Sequence, residues 1–211
     1  MDAERHYHRR MREFEGETVV PGGIVMLGSS HVEQFDAAVL LPSRRVVNRG
    51  IACDRLDAGG RGVLHRLDVS VFACRPSAIV FESGGNDLGE LWRNGRPAIE
   101  EIVAAYRRVV EAIRGRLPEV PLLLVGSFPT RGRYAGMAPL VPVFNAHLPV
   151  IAAQYGCDVQ VAYSLLVDPM GELAAESTED GLHLNQRGYR VWGQALRGWL
   201  DGLFPGSRVG A

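Results

Sequence analysis

The fold is decided by one stretch of sequence, Gly23-Ile24-Val25-Met26-Leu27-Gly28-Ser29-Ser30-His31. A short apolar run ends there at a glycine and two small hydroxyl residues, which is typical of a buried parallel strand that turns into a helix. In an open α/β sheet such a turn lies at the carboxyl edge, where ligands bind. Gly28 permits a tight turn because it has no Cβ. Ser30 is therefore either a nucleophile at a helix N-terminus or a plain N-cap, and the rest of the chain must decide between them.

The composition indicates one ordinary globular domain. The chain has 211 residues, of which 46% are hydrophobic and 22% are charged. Its formal net charge of −1 gives no basic footprint for nucleic acid. We find no run long enough to span a membrane and no signal-peptide core at the N-terminus, so we expect a cytoplasmic protein.

The basic and sulfur-containing residues exclude several kinds of site. The three cysteines are odd in number and lack Cys-x-x-Cys spacing, which indicates reduced thiols rather than disulfides or a zinc site: Cys53, Cys74 and Cys157. The chain contains no lysine. This absence excludes a P-loop lysine, a Schiff-base lysine and a Ser-Lys dyad.

The first 22 residues are interpreted as a charged leader. Tyr7, Met11 and Phe14 form one apolar stripe, which predicts a short amphipathic helix. His6 and His8 have no accompanying cysteine or carboxylate pattern. We therefore expect these two histidines on a solvated helix face and predict no metal site there.

Strands and helices alternate through the remainder, which we take as a catalytic core over 23–205 within a single domain of 1–211. The apolar runs predict five strands, at 23–28, 45–48, 78–83, 122–126 and 157–161. The helical patterns fall at about 56–67, 97–117, 143–155 and 189–203. Pro97 is expected as a first helical residue, His147 as a histidine packed on an apolar face, and Asn185 as the N-cap of the last helix. The order predicts a doubly wound parallel sheet in an α/β/α three-layer domain.

Four loops then meet at the carboxyl edge of that sheet. Three follow predicted strands, and the fourth lies between the fifth strand and the last helix: Gly28-Ser29-Ser30, Asn48-Arg49-Gly50, Gly84-Gly85-Asn86-Asp87 and Glu179-Asp180-Gly181-Leu182-His183-Leu184-Asn185. Each alone is a weak signal. Gly50 has an alternative as a turn glycine, Asn86 as an Asx-turn residue and Asp180 as a loop carboxylate.

Together the loops supply what acyl transfer requires. His183 has an imidazole suited to accept the Ser30 proton near neutral pH, and Asp180, three residues earlier, can receive the other ring N–H. The backbone N–H groups of Ser30 and Gly50 and the side-chain amide of Asn86 can converge on the oxyanion of the tetrahedral intermediate.

These four blocks, in this order, resemble the SGNH hydrolases, also called the GDSL esterase/lipase family. The resemblance covers residues 23 to 200. It implies a flavodoxin-like sheet of five parallel strands and hydrolysis of ester bonds without a cofactor, and we predict no metal site. It also implies Ser30 as nucleophile, His183 as base, Asp180 as its orienter, and Ser30, Gly50 and Asn86 as oxyanion donors.

The chain departs from the family pattern at one position, because Ser29 stands where an aspartate is usual; this leaves open how the first loop is supported. We interpret His31 as a pocket or surface residue and not as the base. Cys53 is the alternative nucleophile, although no feature that would lower the pKa of its thiol is visible. The absence of Gly-x-Ser-x-Gly disfavours an α/β-hydrolase elbow.

The resulting functional prediction is a serine esterase that hydrolyses a small, short-chain acyl ester through an acyl-serine intermediate. The chain is short, and no inserted lid interrupts it between the third and fifth strands. The segment 129–142 is expected to form a mobile wall of the pocket, with its arginines solvating the loop. The alternatives are an acyltransferase that uses the same serine and a non-catalytic binding module. The sequence leaves the natural substrate and the oligomeric state open.

Overall fold

A five-stranded parallel sheet forms the centre of the structure, a computed structural model that describes residues 2–160 and 162–205. The strand order is β2-β1-β3-β4-β5, and every neighbouring pair is parallel, as predicted. The strands are β1 (Ile24–Gly28), β2 (Val46–Gly50), β3 (Ala78–Glu82), β4 (Leu122–Val125) and β5 (Asp158–Gln160). Val161, the last residue of the predicted fifth strand, lies outside the described residues.

The helices connect and cover the strands. In chain order they are α1 (Ala3–Gly16), α2 (Ser30–Glu33), α3 (Ala37–Leu40), α4 (Leu67–Ser70), α5 (Gly85–Asn94), α6 (Ile99–Arg116), α7 (Leu140–Asn145), α8 (Leu148–Tyr155), α9 (Ala162–Leu166) and α10 (Gln186–Leu203). Short 3₁₀ turns lie at Val63–Arg66, Phe72–Cys74, Gly132–Met137 and Ala175–Ser177. Within the described ranges, no helix is long and apolar enough to cross a membrane.

Two apolar cores lie on the two faces of the sheet, which gives the predicted three layers. Successive side chains of a strand point to opposite faces, so Val25 and Leu27 join the core under α6 while Ile24 and Met26 join the core under α10. All five residues of β1 are buried, as expected for a central parallel strand. The strand that precedes Ser30 is therefore held by packing on both faces.

The predicted helix at 56–67 is wrong over its first half. Residues 56–62 form an irregular loop, and the helical part begins only at Val63. Gly59, Gly60 and Gly62 have φ values of 66°, 98° and 113°, which lie in the region that favours glycine and cannot continue a right-handed helix. These glycines shape a loop that returns the chain to the carboxyl edge.

The predicted helix at 143–155 is two helices, because α7 ends at Asn145 and α8 begins at Leu148. Pro149 explains the break, since it has no N–H to donate to the carbonyl of the preceding turn. His147 lies at the N-cap of α8 and is exposed, so the expectation of a packed histidine is wrong.

Helix boundaries near β3 also differ from the prediction. Helix α6 begins at Ile99, with Ala98 at its N-cap, so Pro97 precedes the helix. Helix α5 was not predicted, because its residues Gly85–Asn94 include two glycines and read as a loop. It directly follows β3 and carries Asn86 and Asp87 at its start.

Helix α1 forms as predicted, but its histidines separate. His6 is buried and His8 is exposed, so the solvated-face interpretation is wrong for His6. The His6 ring Nε2 lies 2.9 Å from the Glu33 carboxylate. Helix α1 is thereby linked to the end of α2, next to the candidate nucleophile.

Candidate active site

The carboxyl ends of β1, β2 and β3 are level, which aligns the loops that follow them. Gly28 is in register with Gly50 on one side and with Glu82 on the other. A Cβ at Gly28 would lie 2.2 Å from the Glu82 carbonyl oxygen, so only glycine allows this approach. Ser29 occupies the N-cap position of α2 without a side-chain cap bond, and Ser30 is the first helical residue. The N-cap alternative is thus not the role of the Ser30 side chain.

Ser30, His183 and Asp180 form one hydrogen-bonded chain. The Ser30 Oγ lies 3.2 Å from the His183 Nε2. The His183 Nδ1 lies 2.8 Å from the Asp180 Oδ2. Because a carboxylate only accepts, the Nδ1 carries the proton and the Nε2 presents its lone pair to the serine hydroxyl. This tautomer is the one that a general base requires.

Asp180 is fixed by the backbone of its own loop. Its Oδ1 accepts the backbone N–H groups of Leu182 at 2.9 Å and His183 at 2.8 Å. Burial raises the pKa of Asp180, but the hydrogen bonds from the His183 ring and from these two amides outweigh it and lower the pKa to about 2. The orienting group is therefore a carboxylate across the working pH range.

The loop that carries Asp180 and His183 is held against the segment after β4. Gly181 has a φ of 87°, and a Cβ there would lie 2.5 Å from the Arg131 carbonyl oxygen. The Arg131 backbone N–H donates to the Gly181 carbonyl at 2.8 Å, and the Thr178 hydroxyl donates to the His183 carbonyl at 2.7 Å. Asn185 caps α10 as predicted, accepting N–H bonds from the first turn. These contacts set the position of His183 relative to the sheet.

Asn86 lies at the site, and one of the two N–H groups of its side-chain amide is hydrogen-bonded. Asn86 lines the same cavity as Ser30, and its Nδ2 donates to the Asp54 carbonyl oxygen at 2.8 Å. An amide nitrogen has two N–H groups, so one remains to act as a donor. The bond to Asp54 orients the amide plane.

Gly50 does not have the free N–H that the prediction assigned to it. Its N–H donates to the Asn48 Oδ1 at 2.9 Å. A Cβ at Gly50 would lie 2.0 Å from the Glu33 backbone nitrogen, so this position requires glycine for close packing of β2 against α2. The structure therefore explains Gly50 by packing, and its N–H is occupied.

Cys53, the alternative nucleophile, has an unusual backbone conformation. Its φ of 62° lies in the left-handed region, which is uncommon for a residue with a side chain. The thiol is exposed and borders a different cavity, beside Tyr7 and Arg61. Across residues 2–160 and 162–205, the Cys53 N–H has no acceptor, whereas the amides of Ile51, Ala52 and Asp54 all have one.

A buried arginine that the sequence analysis missed ties these loops together. Arg66 is 1% exposed. Its guanidinium donates to the Asp54 carboxylate at 2.8 Å, the Arg49 carbonyl at 2.9 Å and the Gly28 carbonyl at 3.0 Å. The ends of β1 and β2 and the loop after β2 therefore share one hydrogen-bonding centre. The sequence offered no signal for it, since Arg66 stands beside His65 near the end of a predicted helix and carries no motif that indicates burial.

Asp87 ties the same loop to α5. Its two carboxylate oxygens accept the Leu56 backbone N–H at 3.1 Å and the Arg55 Nε at 3.2 Å. Burial raises the pKa of Asp87 to about 6, against the opposing effects of the Leu56 N–H and Arg55. The Asn86-Asp87 pair thus places one amide in the cavity and one carboxyl against the loop after β2.

Ser30 opens into a small cavity of about 40 Å³. The lining residues come from the turn into α2, from α5, from the segment after β4 and from the loop before α10: Ser29, Ser30, His31, Gly85, Asn86, Gly89, Arg93, Tyr134, Met137 and Leu182. The segment 129–142 provides a wall, as predicted, through Tyr134 and Met137. Of its two arginines, Arg131 is not a solvating side chain, because it donates to the Leu173 carbonyl at 2.8 Å.

His31 lines the cavity, in agreement with its interpretation as a pocket residue. Its Nε2 lies 3.1 Å from the Leu182 carbonyl, which only accepts, so the Nε2 carries the proton. Its ring packs on Phe128 with the centroids 4.6 Å apart. Burial, and after it the neighbouring His183, lowers the pKa of His31 to about 4.

With this geometry in place, comparison with known proteins decides the family. The model of the GDSL-like Lipase/Acylhydrolase family matches residues 29–191. The chain belongs to the GDSL-like lipase/acylhydrolase family. The resemblance to GDSL (SGNH) hydrolases is thereby confirmed, and the protein is a carboxylic ester hydrolase of this family. Among curated proteins, none matches the sequence.

Solved structures agree on the fold of this GDSL-like hydrolase. A Streptococcus pneumonia protein described as a platelet activating factor has 22% identity and a TM-score of 0.82, with 94% of each chain covered. A GDSL-like lipase from Bacteroides thetaiotaomicron has 17% identity and a TM-score of 0.79, covering 94% of this chain and 98% of its own. An acetylxylan esterase from Geobacillus stearothermophilus has 14% identity and a TM-score of 0.68, covering 85% and 94%.

Proposed function

We propose that this GDSL-like hydrolase is a serine esterase that cleaves small, short-chain acyl esters through an acyl-serine intermediate. The observation that carries the proposal is the continuous chain from the Ser30 Oγ to the His183 Nε2, at 3.2 Å, and from the His183 Nδ1 to the Asp180 carboxylate, at 2.8 Å. A nucleophile within reach of its base, and a base oriented by a third group, is the arrangement required for nucleophilic catalysis.

In the acylation half, the Ser30 oxygen attacks the ester carbonyl carbon while its proton passes to the His183 Nε2. Asp180 stabilises the imidazolium that forms. The tetrahedral intermediate collapses, the C–O bond to the alcohol breaks, and His183 returns the proton to the leaving oxygen. Water then attacks the acyl-serine by the same route and releases the carboxylic acid and free Ser30.

For the oxyanion we propose the Ser30 backbone N–H and the second N–H of the Asn86 amide as donors. Gly50 can act as the predicted third donor only if its N–H leaves Asn48. The Cys53 N–H is the better candidate for the third donor, because it lacks an acceptor in the described chain. Cys53 also directly precedes Asp54, whose carbonyl accepts the hydrogen bond from Asn86. Preorganised donors of this kind contribute the largest single part of many such rate enhancements.

The size of the cavity supports a short acyl group. A volume of about 40 Å³ holds two or three water molecules, which is comparable to an acetyl group. Met137 and Tyr134 close the cavity on the side of the segment after β4. A longer acyl chain would have to displace these side chains. The acetyl group in the name of the acetylxylan esterase neighbour is consistent with this size but does not identify the alcohol part of the substrate here.

The test compares p-nitrophenyl acetate, butyrate and octanoate as substrates. We expect the acetate to be hydrolysed best, and Ser30→Ala and His183→Ala to fall to background. Matched controls are Ser43→Ala, which removes an exposed serine, and His65→Ala, which removes a histidine paired with Asp57 outside the site. Wild-type activity in Ser30→Ala would refute the mechanism and make Cys53 the next nucleophile to test.

The same assay separates the two alternatives. Both reactions share the acyl-serine, so product analysis with a competing alcohol or sugar separates them. The enzyme is an acyltransferase if the acyl group is found on the added hydroxyl in preference to release as the free acid. A chain that neither hydrolyses esters nor reacts with an organophosphonate at Ser30 would be a binding module.

A further inference from the structure

Glu82 is a buried acid directly beneath the turn that carries the nucleophile. It is the last residue of β3, is 1% exposed and follows four apolar residues of that strand. No arginine pairs with it in the described chain. Its Oε2 accepts a hydrogen bond from the Ser29 hydroxyl at 3.2 Å. Ser29 immediately precedes the nucleophile, so one side of the carboxyl holds the nucleophile turn.

The other side of the carboxyl faces the loop that carries the base. The Glu82 Oε1 lies 4.0 Å from the His31 Nδ1, which is the unprotonated nitrogen because the His31 Nε2 donates to the Leu182 carbonyl. Leu182 immediately precedes His183. The contacts from Ser29 through Glu82 and His31 to Leu182 therefore join the residues that precede the nucleophile and the base.

The surroundings of Glu82 favour the uncharged forms of this cluster between about pH 4 and pH 7. The titratable side chains that face Glu82 come from α2, α6 and α10: His31, Tyr106 and Tyr189. Burial raises the pKa of Glu82 to about 7, opposed by the backbone N–H and hydroxyl of Ser29. Burial also keeps His31 and both tyrosines in their neutral forms.

We propose that Glu82 is a positioning residue for ester hydrolysis, which acts through Ser29 and His31 to fix the separation of Ser30 and His183. The inference rests on the proposed function and explains how the nucleophile turn is supported in a chain that has Ser29 in place of the family's usual aspartate. The carboxyl that supports the turn comes from the neighbouring strand instead.

A purely structural role for Glu82 and a positioning role predict different results when the carboxyl is replaced by an apolar side chain. An apolar side chain of similar length would fill this position at the sheet without the cost of burying a carboxyl. If packing alone matters, such a side chain leaves the enzyme folded and active. If Glu82 positions the reacting groups, the same variant stays folded and loses turnover, because a displacement of about 1 Å in a reacting pair costs about 10²-fold in rate.

The experiment measures kcat and KM for p-nitrophenyl acetate, together with Tm, in four variants. Glu82→Met removes both oxygens, and we expect kcat to fall about 10- to 100-fold with KM and Tm retained. Glu82→Gln keeps an acceptor for the Ser29 hydroxyl and rescues kcat to within about threefold at pH 6. Tyr163→Phe, which removes a hydroxyl bonded to the Gly171 carbonyl outside this cluster, is the matched control and keeps kcat.

A double variant and a pH series sharpen the test. Ser29→Ala combined with Glu82→Met should be no slower than Glu82→Met alone, because both remove the same contact. Between pH 6 and pH 9 the ratio of kcat in Glu82→Gln to kcat in wild type should rise about threefold or more, since the ionised wild-type carboxylate faces the lone pair of the His31 Nδ1.

Folded Glu82→Met with wild-type kcat would overturn the inference while leaving the serine mechanism intact. Inactive wild-type enzyme would instead refute the proposed function. In that event a crystal structure of Glu82→Met still decides the positioning role. An unchanged Ser30 Oγ to His183 Nε2 distance contradicts the role, and a lengthened distance supports it.

Discussion

Replacing Asp180 with asparagine tests the orientation of the base with almost no change in shape. In the wild type, the Asp180 Oδ1 accepts two backbone N–H groups and the Oδ2 accepts the His183 Nδ1 proton. An asparagine that keeps its oxygen on the two backbone amides must turn its NH₂ toward the His183 Nδ1. The ring then has to accept at Nδ1 and carry its proton at Nε2, where it can no longer receive the Ser30 proton.

The size of the expected loss in kcat/KM follows from the free-energy cost of the other orientation of the asparagine amide, in which its oxygen faces His183. Turning the oxygen toward His183 restores the tautomer, but it places the NH₂ against the N–H groups of Leu182 and His183. Two hydrogen bonds worth about 1–3 kcal/mol each are then lost. The active arrangement is therefore disfavoured by about 2–6 kcal/mol, which corresponds to a loss of roughly 30- to 25,000-fold in kcat/KM.

The assay is p-nitrophenyl acetate hydrolysis at pH 7.5 or thereabouts, with Tm measured in parallel to show that Asp180→Asn remains folded. Asp57→Asn is the matched control, because Asp57 also pairs with a histidine, His65, at 3.1 Å but lies outside the site. We expect the control to keep at least about half of the wild-type activity. An Asp180→Asn enzyme with more than about a tenth of wild-type kcat/KM would refute the reasoning.

Three further predictions address the oxyanion, the cavity and the buried acid. Asn86→Ala should lower kcat by about 10²–10³-fold with little change in KM, and a loss below tenfold would remove Asn86 from the oxyanion site. Met137→Ala should raise kcat/KM for the butyrate relative to the acetate ester, because Met137 closes the cavity; an unchanged ratio in competition assays would show that the cavity does not select the acyl length. The pKa of Glu82 in the folded state, about 7, lies above its usual value of 4.5. The contribution of Glu82 to the free energy of unfolding is therefore fully present below pH 4.5 and is lost as the pH rises to 7. Relative to Glu82→Gln, the wild-type free energy of unfolding should fall by about 3 kcal/mol over that interval in urea titrations, and parallel curves would contradict the raised pKa.

The sequence predicted that Ser30, Asp180 and His183 would meet, and the structure brings their side chains into one hydrogen-bonded chain. The meeting was predictable because their loops share the carboxyl edge of a parallel sheet. The five strands were predictable for a similar reason: their apolar runs are continuous and end at glycines or small polar residues.

The hydrogen bond that engages the Gly50 N–H was not predictable, because it depends on a side-chain orientation. The Asn48 amide turns back and accepts the Gly50 N–H, and no pattern of residue types encodes that turn. The left-handed φ of Cys53 was not predictable either, since glycine usually adopts this conformation and a cysteine in the sequence does not indicate it.

Buried polar residues were missed because sequence patterns assign them to the surface. His6 was expected on a solvated face, and Arg66 and Glu82 were given no role, yet each is buried and hydrogen-bonded. Only the assembled loops supply the carbonyl, hydroxyl and carboxylate partners that make their burial tolerable. These three residues connect the catalytic loops to the sheet and to α1.

The measurement that tests the central claim most directly is peptide mapping after reaction with a fluorophosphonate, with wild type and His183→Ala compared. The account predicts one phosphonate adduct per wild-type chain, located on Ser30, and a greatly slowed reaction in His183→Ala because the base is missing. An adduct on another residue, or equally fast labelling of Ser30 without His183, would contradict the proposed nucleophile and base.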